Sequence, residues 1–381
     1  MIFNFPCASR VFGLWGLLFL TACTQNNGVV SFAIHPIHED SKFEAAAIAD
    51  MNNDGKLDIF CGSYWYEAPE WRRHLVRQQQ EINEYYNDFA NLPLDVNGDG
   101  WMDIINSAFF SRSLFWLKNP GDPGQLFELV EIDRPGPMET AILFDINSDG
   151  RMDILPNVSD NPAWYEQHTN SGAPESIFWI KHTLPSQAAG HGIGAGDLNS
   201  DGRVDIVVRH GWLEQTGIEW QWHADFDLGD RPSIPILVHD VDEDDDADII
   251  WGRAHDYGLF WLEQNPESTN LQWVQHLIDS SWSQPHFMLL RDLNNDGKVE
   301  LLSGKRYRAH NGKDPGGSDP LCIYYYEFDP KRKIWHRNTV TEGNTIGFGI
   351  CTDARDIDND GDVDIVAPGK SGLYLLENML Q

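Results

Sequence analysis

Apolar residues in this chain fall in short runs separated by Gly, Pro and Asp turns, and the runs repeat. One run is β-branched: Leu57-Asp-Ile-Phe60, Val204-Asp-Ile-Val-Val208 and Val363-Asp-Ile-Val366. The next is aromatic or aliphatic and usually ends in an acid: Trp65-Tyr-Glu67, Trp116-Leu-Lys118, Trp164-Tyr-Glu166, Trp212-Leu-Glu214, Trp261-Leu-Glu263, Tyr325-Tyr-Glu327 and Leu375-Leu-Glu377. Another reads Trp-x-x-His, at Trp71/His74, Trp179/His182, Trp220/His223 and Trp273/His276, with looser versions at Phe127 and Trp335. Runs of this length and composition, bounded by turn residues, are strands. Four strands per period make one blade of a propeller.

Between the first and second strand of each period lies an acidic loop. The pattern Asp-x-[Asn/Asp]-x-Asp-Gly-x-x-[Asp/Glu] occurs seven times. The copies are Asp50/Asn52/Asp54/Asp58, Asp95/Asn97/Asp99/Asp103, Asp145/Asn147/Asp149/Asp153, Asp197/Asn199/Asp201/Asp205, Asp240/Asp242/Asp244/Asp248, Asp292/Asn294/Asp296/Glu300 and Asp356/Asp358/Asp360/Asp364. Oxygen side chains at every second position of a curled loop suit a hard cation such as Ca²⁺, which takes six to eight oxygens at roughly 2.3–2.6 Å. Glycine at position six admits the tight turn. The opening half matches an EF-hand loop, but the closing acid comes at position nine and no long amphipathic helix flanks it. The fifth copy departs, with Asp245 where glycine belongs; aspartate visits the left-handed region more readily than most residues. Up to seven structural Ca²⁺ ions are expected. First aspartates are spaced 45, 50, 52, 43, 52 and 64 residues apart, a period typical of propeller blades.

The seventh period stops after its third strand. The missing piece stands at the other end of the chain, where Phe32-Ala-Ile-His35 fits the Trp-x-x-His slot. The expected fold is therefore all-β: a seven-bladed propeller of four-stranded blades over residues 29–381, closed by its N-terminal strand. Closure removes exposed sheet edges.

The formal net charge is −32, yet 27 of the 59 acids sit inside the seven loops. The charge is largely ligand charge, and no basic stripe invites nucleic acid. Residues 1–22 read as a lipoprotein signal peptide: Arg10, the apolar run Val11–Leu20, then Leu20-Thr21-Ala22-Cys23. Cys23 would carry the lipid, and residues 23–28 would form a tether. This predicts an exported bacterial lipoprotein of the cell envelope, held to the membrane only through its lipid and monomeric; an ordinary cleaved secretory signal is the alternative. Cys61, Cys322 and Cys351 read as core residues rather than a disulfide framework.

The acidic loops and the runs around them resemble the FG-GAP/VCBS repeats of integrin-α-like propellers, over roughly residues 28–381. Gly190-His-Gly192, Gly304-Lys-Arg-Tyr307 and Gly211-Trp-Leu-Glu-Gln215 more weakly resemble the propeller part of aldos-2-ulose dehydratase. That resemblance implies a sugar dehydratase; the cupin domains of that enzyme are absent here, so its isomerase activity is not implied.

Function is expected on the face opposite the acidic loops, where first strands begin and second strands end. Six residues before each first aspartate stand Glu44, Phe89, Glu139, His191, Ile234, His286 and Ile350. About thirteen residues after it come Tyr64, Arg209/His210, Arg253/His255, Lys305/Arg306 and Lys370. The insertion Lys305–Pro320 falls on the same face. The Trp-x-x-His histidines recur blade by blade and read as framework. His191, His286, Arg209, His255, Lys305 and Tyr64 do not recur, and they are the candidate catalytic residues. Cationic groups would neutralise a carboxylate or enolate, and neutral His or Tyr64 would move a proton. This suits β-elimination on a uronate or keto sugar. Alternatively His191 and His286, with Glu139 or Glu44, hold a further divalent transition metal at the channel mouth. The competing function is a non-catalytic propeller that binds glycans or protein partners. No nucleophile motif for Ser/His/Asp hydrolysis and no Gly-rich phosphate loop is present.

Overall fold

The structure is a computed structural model describing residues 30–380, except 171–172, 266–271 and 344. The signal peptide, Cys23 and the tether lie outside the described residues. Seven four-stranded antiparallel sheets follow one another around a ring. Blade one is typical: Ala46–Ala49, Asp58–Cys61, Tyr64–Glu67 and Arg72–Leu75, paired in that order. Blade seven contains Asp353–Arg355, Asp364–Ala367 and Leu373–Asn378, and its fourth strand is Phe32–His38 from the N-terminal end. The closing register places Phe32 opposite Asn378 and His35 opposite Leu375. Among the described residues no helix is long and apolar enough to cross a membrane.

Residue size explains the radial order of strands. First strands crowd the axis, and those of blades one and four are built from small residues, Ala46-Ala-Ile-Ala49 and Ile193-Gly-Ala-Gly196. A β-carbon on Gly194 would stand 2.1 Å from the Ile236 carbonyl oxygen of the next blade. Second strands such as Asp58–Cys61 and Asp205–Val208 are buried throughout, because both faces pack on neighbouring blades. Fourth strands are mostly exposed and polar, as at Arg72–Leu75.

The core is divided among the seams between blades. Ile48, Ile59, Ile357 and Val366 join blades one and seven, for example, and Ile154, Tyr165, Ile105 and Leu114 join blades two and three. Ala45, Ala90, Phe287 and Cys351 pack together where blades one, two, six and seven meet at the axis. Cys61, Cys322 and Cys351 are buried and free. Deleting residues 30–38 removes the outer strand of blade seven and leaves Leu373–Asn378 as a bare edge. The truncated protein is expected to elute from size exclusion as aggregates, where the intact domain gives one sharp peak.

The recurrent Trp and His residues form a repeated staple. Each fourth-strand histidine stacks on the third-strand tryptophan, as His74 does on Trp65 (4.2 Å between centroids) and His182 on Trp164 (4.0 Å). Its Nε2 meets the third-strand glutamate: His74–Glu67 2.7 Å, His223–Glu214 2.7 Å, His276–Glu263 2.6 Å. His35 repeats the pairing with Glu377 at 2.5 Å, which sews the terminal strand into the same pattern.

The closing acids of the loops have a structural task that spacing did not reveal. Asp58 Oδ2 accepts the Met51 amide and Oδ1 accepts the Ala68 amide, tying the loop to the end of the third strand. Asp103, Asp205, Asp248 and Asp364 repeat both bonds. All five carboxylates are fully buried.

Candidate functional site at the channel mouth

Four residues that are far apart in sequence converge opposite the acidic loops: Glu139, His191, His255 and His286. Each offers a ligand atom within 4.8 Å of the other three. Glu139 and His286 belong to the first strands of blades three and six, Met138–Phe144 and Pro285–Arg291. His191 precedes the first strand of blade four, between Gly190 (φ 132°) and Gly192 (φ 93°). His255 follows the second strand of blade five, Asp248–Gly252.

Hydrogen bonds from behind set the histidine tautomers. His191 Nδ1 donates to the Pro232 carbonyl oxygen at 2.7 Å, and a carbonyl can only accept. His255 Nδ1 donates to Asp314 Oδ2 at 2.9 Å. Both rings therefore turn an Nε2 lone pair forward, and these two atoms lie only 3.2 Å apart. His286 Nε2 meets Glu139 Oε2 at 2.9 Å, and its Nδ1 is buried without a partner. Burial drives His255 down to about 4, against the opposing pull of Asp314, and holds His286 well below its usual range. These imidazoles are neutral at pH 7. Burial alone would raise Glu139, but His191, His286 and Arg306 outweigh it and keep the carboxylate ionised. Imidazole nitrogens converging beside an anion form a donor set that fits a divalent cation. Backbone and carboxylate partners behind the rings are the usual orienting shell of metal-binding histidines.

Charges around this cluster are already matched. Arg306 is buried; its Nε donates to Glu44 Oε1 at 2.9 Å and its Nη1 to Glu139 Oε2 at 3.2 Å. Glu44 is thus the guanidinium's partner and stands outside the histidine cluster. Arg308 forms a fork with Glu84 at 2.8–3.0 Å. The Lys370 ammonium lies 3.4 Å from the Tyr85 ring centroid and donates to the Arg308 carbonyl at 3.2 Å.

Three candidate residues stand elsewhere. Lys305 is buried, and its ammonium donates to Ser283 Oγ (2.6 Å) and the Gly316 carbonyl (2.7 Å), so it anchors the insertion instead of facing a ligand. Arg209 packs under Gly190, with Nε buried and unpaired. Tyr64 lies in the third strand of blade one with Arg73 over its ring. A residue counted thirteen places from the loop has there already left the axis.

Two contributors were not foreseen as site residues. His310, in the insertion, stacks on His255 at 4.6 Å and donates Nδ1 to Asp314 at 2.9 Å, leaving Nε2 free. Its backbone is left-handed (φ 47°), as are Arg308 (54°) and Asn311 (59°), a strained run held by the Arg308–Glu84 fork and by the Tyr85 hydroxyl. Beside it is a cavity of about 210 Å³, walled by Tyr85, Phe89, Phe109 and Phe110 and floored by Glu139, Arg306 and His310. The only signal for His310 was the length of the sixth period, and of the cavity wall the count from the loops had reached Phe89 alone.

Residues 95–156 and 145–208 match the family model described as FG-GAP-like repeat. Residues 95–208 carry FG-GAP-like repeats. Each matched span starts at the first aspartate of a loop and ends in the second strand of the next blade, so the FG-GAP-like unit straddles a seam. A T-cell immunomodulatory protein homolog of Plasmodium falciparum is 21% identical over 304 residues, covering 69% of this chain. The chain spans only 39% of that relative's length. Among solved structures, an Agrocybe aegerita lectin recognising non-reducing terminal N-acetylglucosamine is similar at TM-score 0.49 and 15% identity, over 79% of this chain and 80% of the lectin. An exotype rhamnogalacturonan lyase is similar at TM-score 0.47 and 11% identity, over 92% of this chain and 74% of the lyase. Likenesses this distant do not bear on substrate or activity.

Proposed function

We propose that this protein is an exported, lipid-anchored propeller whose acidic loops hold structural Ca²⁺ and whose channel mouth performs β-elimination on a sugar. The observation that carries this reading is the pair of Nε2 lone pairs of His191 and His255, 3.2 Å apart beside Glu139. Such a pair is repulsive unless a proton or a metal cation lies between. Nitrogen-rich donors favour a transition metal over calcium. Glu139, His191, His255 and His286 would hold it, and when bound it supplies a Lewis acid that polarises a carbonyl oxygen.

The chain's own residues account for the rest. The aromatic wall takes the apolar face of one sugar ring. His310, oriented by Asp314, presents Nε2 to the cavity and accepts the proton α to the carbonyl. The C–H electron pair becomes the new C=C bond. The β C–O bond breaks, and the departing hydroxyl takes the proton back from His310 and leaves as water. Since Arg306, Arg308 and Lys370 are engaged with acids, a ring or a carbonyl, an uncharged keto sugar fits this mouth better than a uronate.

Turnover is read as ultraviolet absorbance of the unsaturated product across a panel of keto sugars and uronate polymers, with Ca²⁺ and Zn²⁺ or Mn²⁺ present. His191→Ala and His286→Ala are each expected to lower the rate at least about 100-fold and to lose one transition-metal ion per chain. No turnover across the panel overturns the reading. Saturable glycan binding that ignores both substitutions would establish the non-catalytic propeller instead.

A further inference from the structure

Six of the seven acidic loops share one internal hydrogen bond: the position-five amide donates to the position-three side chain. The pairs are Asp54–Asn52 (3.0 Å), Asp99–Asn97 (3.0 Å), Asp149–Asn147 (3.1 Å), Asp201–Asn199 (3.2 Å), Asp296–Asn294 (2.9 Å) and Asp360–Asp358 (3.2 Å). In the fifth loop the Asp244 amide donates to Asp240 Oδ1 at 3.1 Å, and Asp242 takes no part. The Asp242 carboxylate reaches Lys333 of blade six with one oxygen while keeping a ligand atom within 4.8 Å of Asp240 and Asp248. Its Oδ2 lies 2.8 Å from Lys333 Nζ, and its Oδ1 is buried without a partner. The same ammonium pairs with Glu263, which also holds His276.

Lys333 comes from the turn between Cys322–Asp329 and Ile334–Glu342 and has a left-handed backbone (φ 53°). A second clasp, Lys298 to Glu243, crosses the same seam. This is also the loop in which Asp245 (φ 73°) replaces glycine.

We propose that the Lys333 ammonium is the built-in counter-cation of the fifth loop, which takes no calcium and serves as a fixed clasp between blades five and six. A calcium ion there would compete with the ammonium already bonded to Asp242 in the converging Asp240, Asp242 and Asp248 cluster. Displacing it breaks charge-assisted bonds to two carboxylates and strands a lysine at the seam, whereas in the other six loops the third side chain accepts the position-five amide and pairs with no lysine. Three ammonium donors bridge two acids, and the seam is closed without any dissolved ion.

The inference rests on the calcium reading of the other loops, and native mass spectrometry in Ca²⁺ separates the two. Lys333→Met is expected to bind one calcium more than wild type. Asp240→Ala is expected to leave the wild-type count unchanged, while Asp356→Ala in the seventh loop loses one. Asp240→Ala remains informative even if Lys333→Met does not fold. Equal non-zero counts in wild type and Lys333→Met, or a loss of one ion in Asp240→Ala, overturn the inference alone. No bound calcium in wild type overturns it together with the calcium reading.

Discussion

Dialysis against EDTA is expected to lower the melting temperature by more than about 10 °C, with recovery on adding Ca²⁺. Side-chain oxygens at positions one, three and five of each loop fall within five residues, and in the seventh all three are carboxylates that converge, Asp356, Asp358 and Asp360. The closing acids sit behind them in the interior, where burial pushes Asp58, Asp248, Glu300 and Asp364 up to about 7. Anions packed this way are disfavoured without a counter-charge. A ligand at a hundred times its Kd stabilises by about 2.7 kcal/mol per site, and the loops all lie at seams on one face. Calorimetry with and without chelator measures the sum. An unchanged melt would remove calcium from the loops altogether.

Arg306→Met should destabilise the domain by about 3–5 kcal/mol, the usual cost of stranding buried charges, with a fall in melting temperature of roughly 5–10 °C. The guanidinium links blade six to Glu44 of blade one and Glu139 of blade three across the channel. Methionine fills much of the volume but leaves two buried carboxylates facing each other. Adding Glu44→Gln to Arg306→Met should restore part of the loss, because one stranded anion is removed. A melt within a degree of wild type would show that water reaches and solvates both acids.

The architecture was legible because it is written locally. Each blade repeats its acidic loop, its β-branched run and its Trp–His–Glu staple within about fifty residues, and the incomplete seventh period points to its own missing strand at Phe32–His35. Counting from the loops also placed Glu139, His191, His255 and His286 at one mouth. The same count misplaced Tyr64, because fourteen residues after Asp50 it occupies the place of Gly211 in blade four, the first residue of the third strand. Lys305 and Arg306 are neighbours in sequence and looked equivalent. In a strand they point to opposite sides, so one ties down the insertion and the other spans the channel.

By itself the sequence determined the strand order within a blade, the number of blades, the closing strand and the height of each polar residue along the axis. These follow from periodicity, which is a property of neighbouring residues. Only the tertiary structure decided which side chains meet. Glu139 and His286 are 147 positions apart, Arg306 and Glu44 are 262, and both pairs exist because ring closure brings distant blades around one channel. It also decided that the mouth is electrically balanced and that Asp242 meets Lys333. Charge pairing depends on distances of a few ångströms between chain segments, and a linear pattern carries no record of those distances.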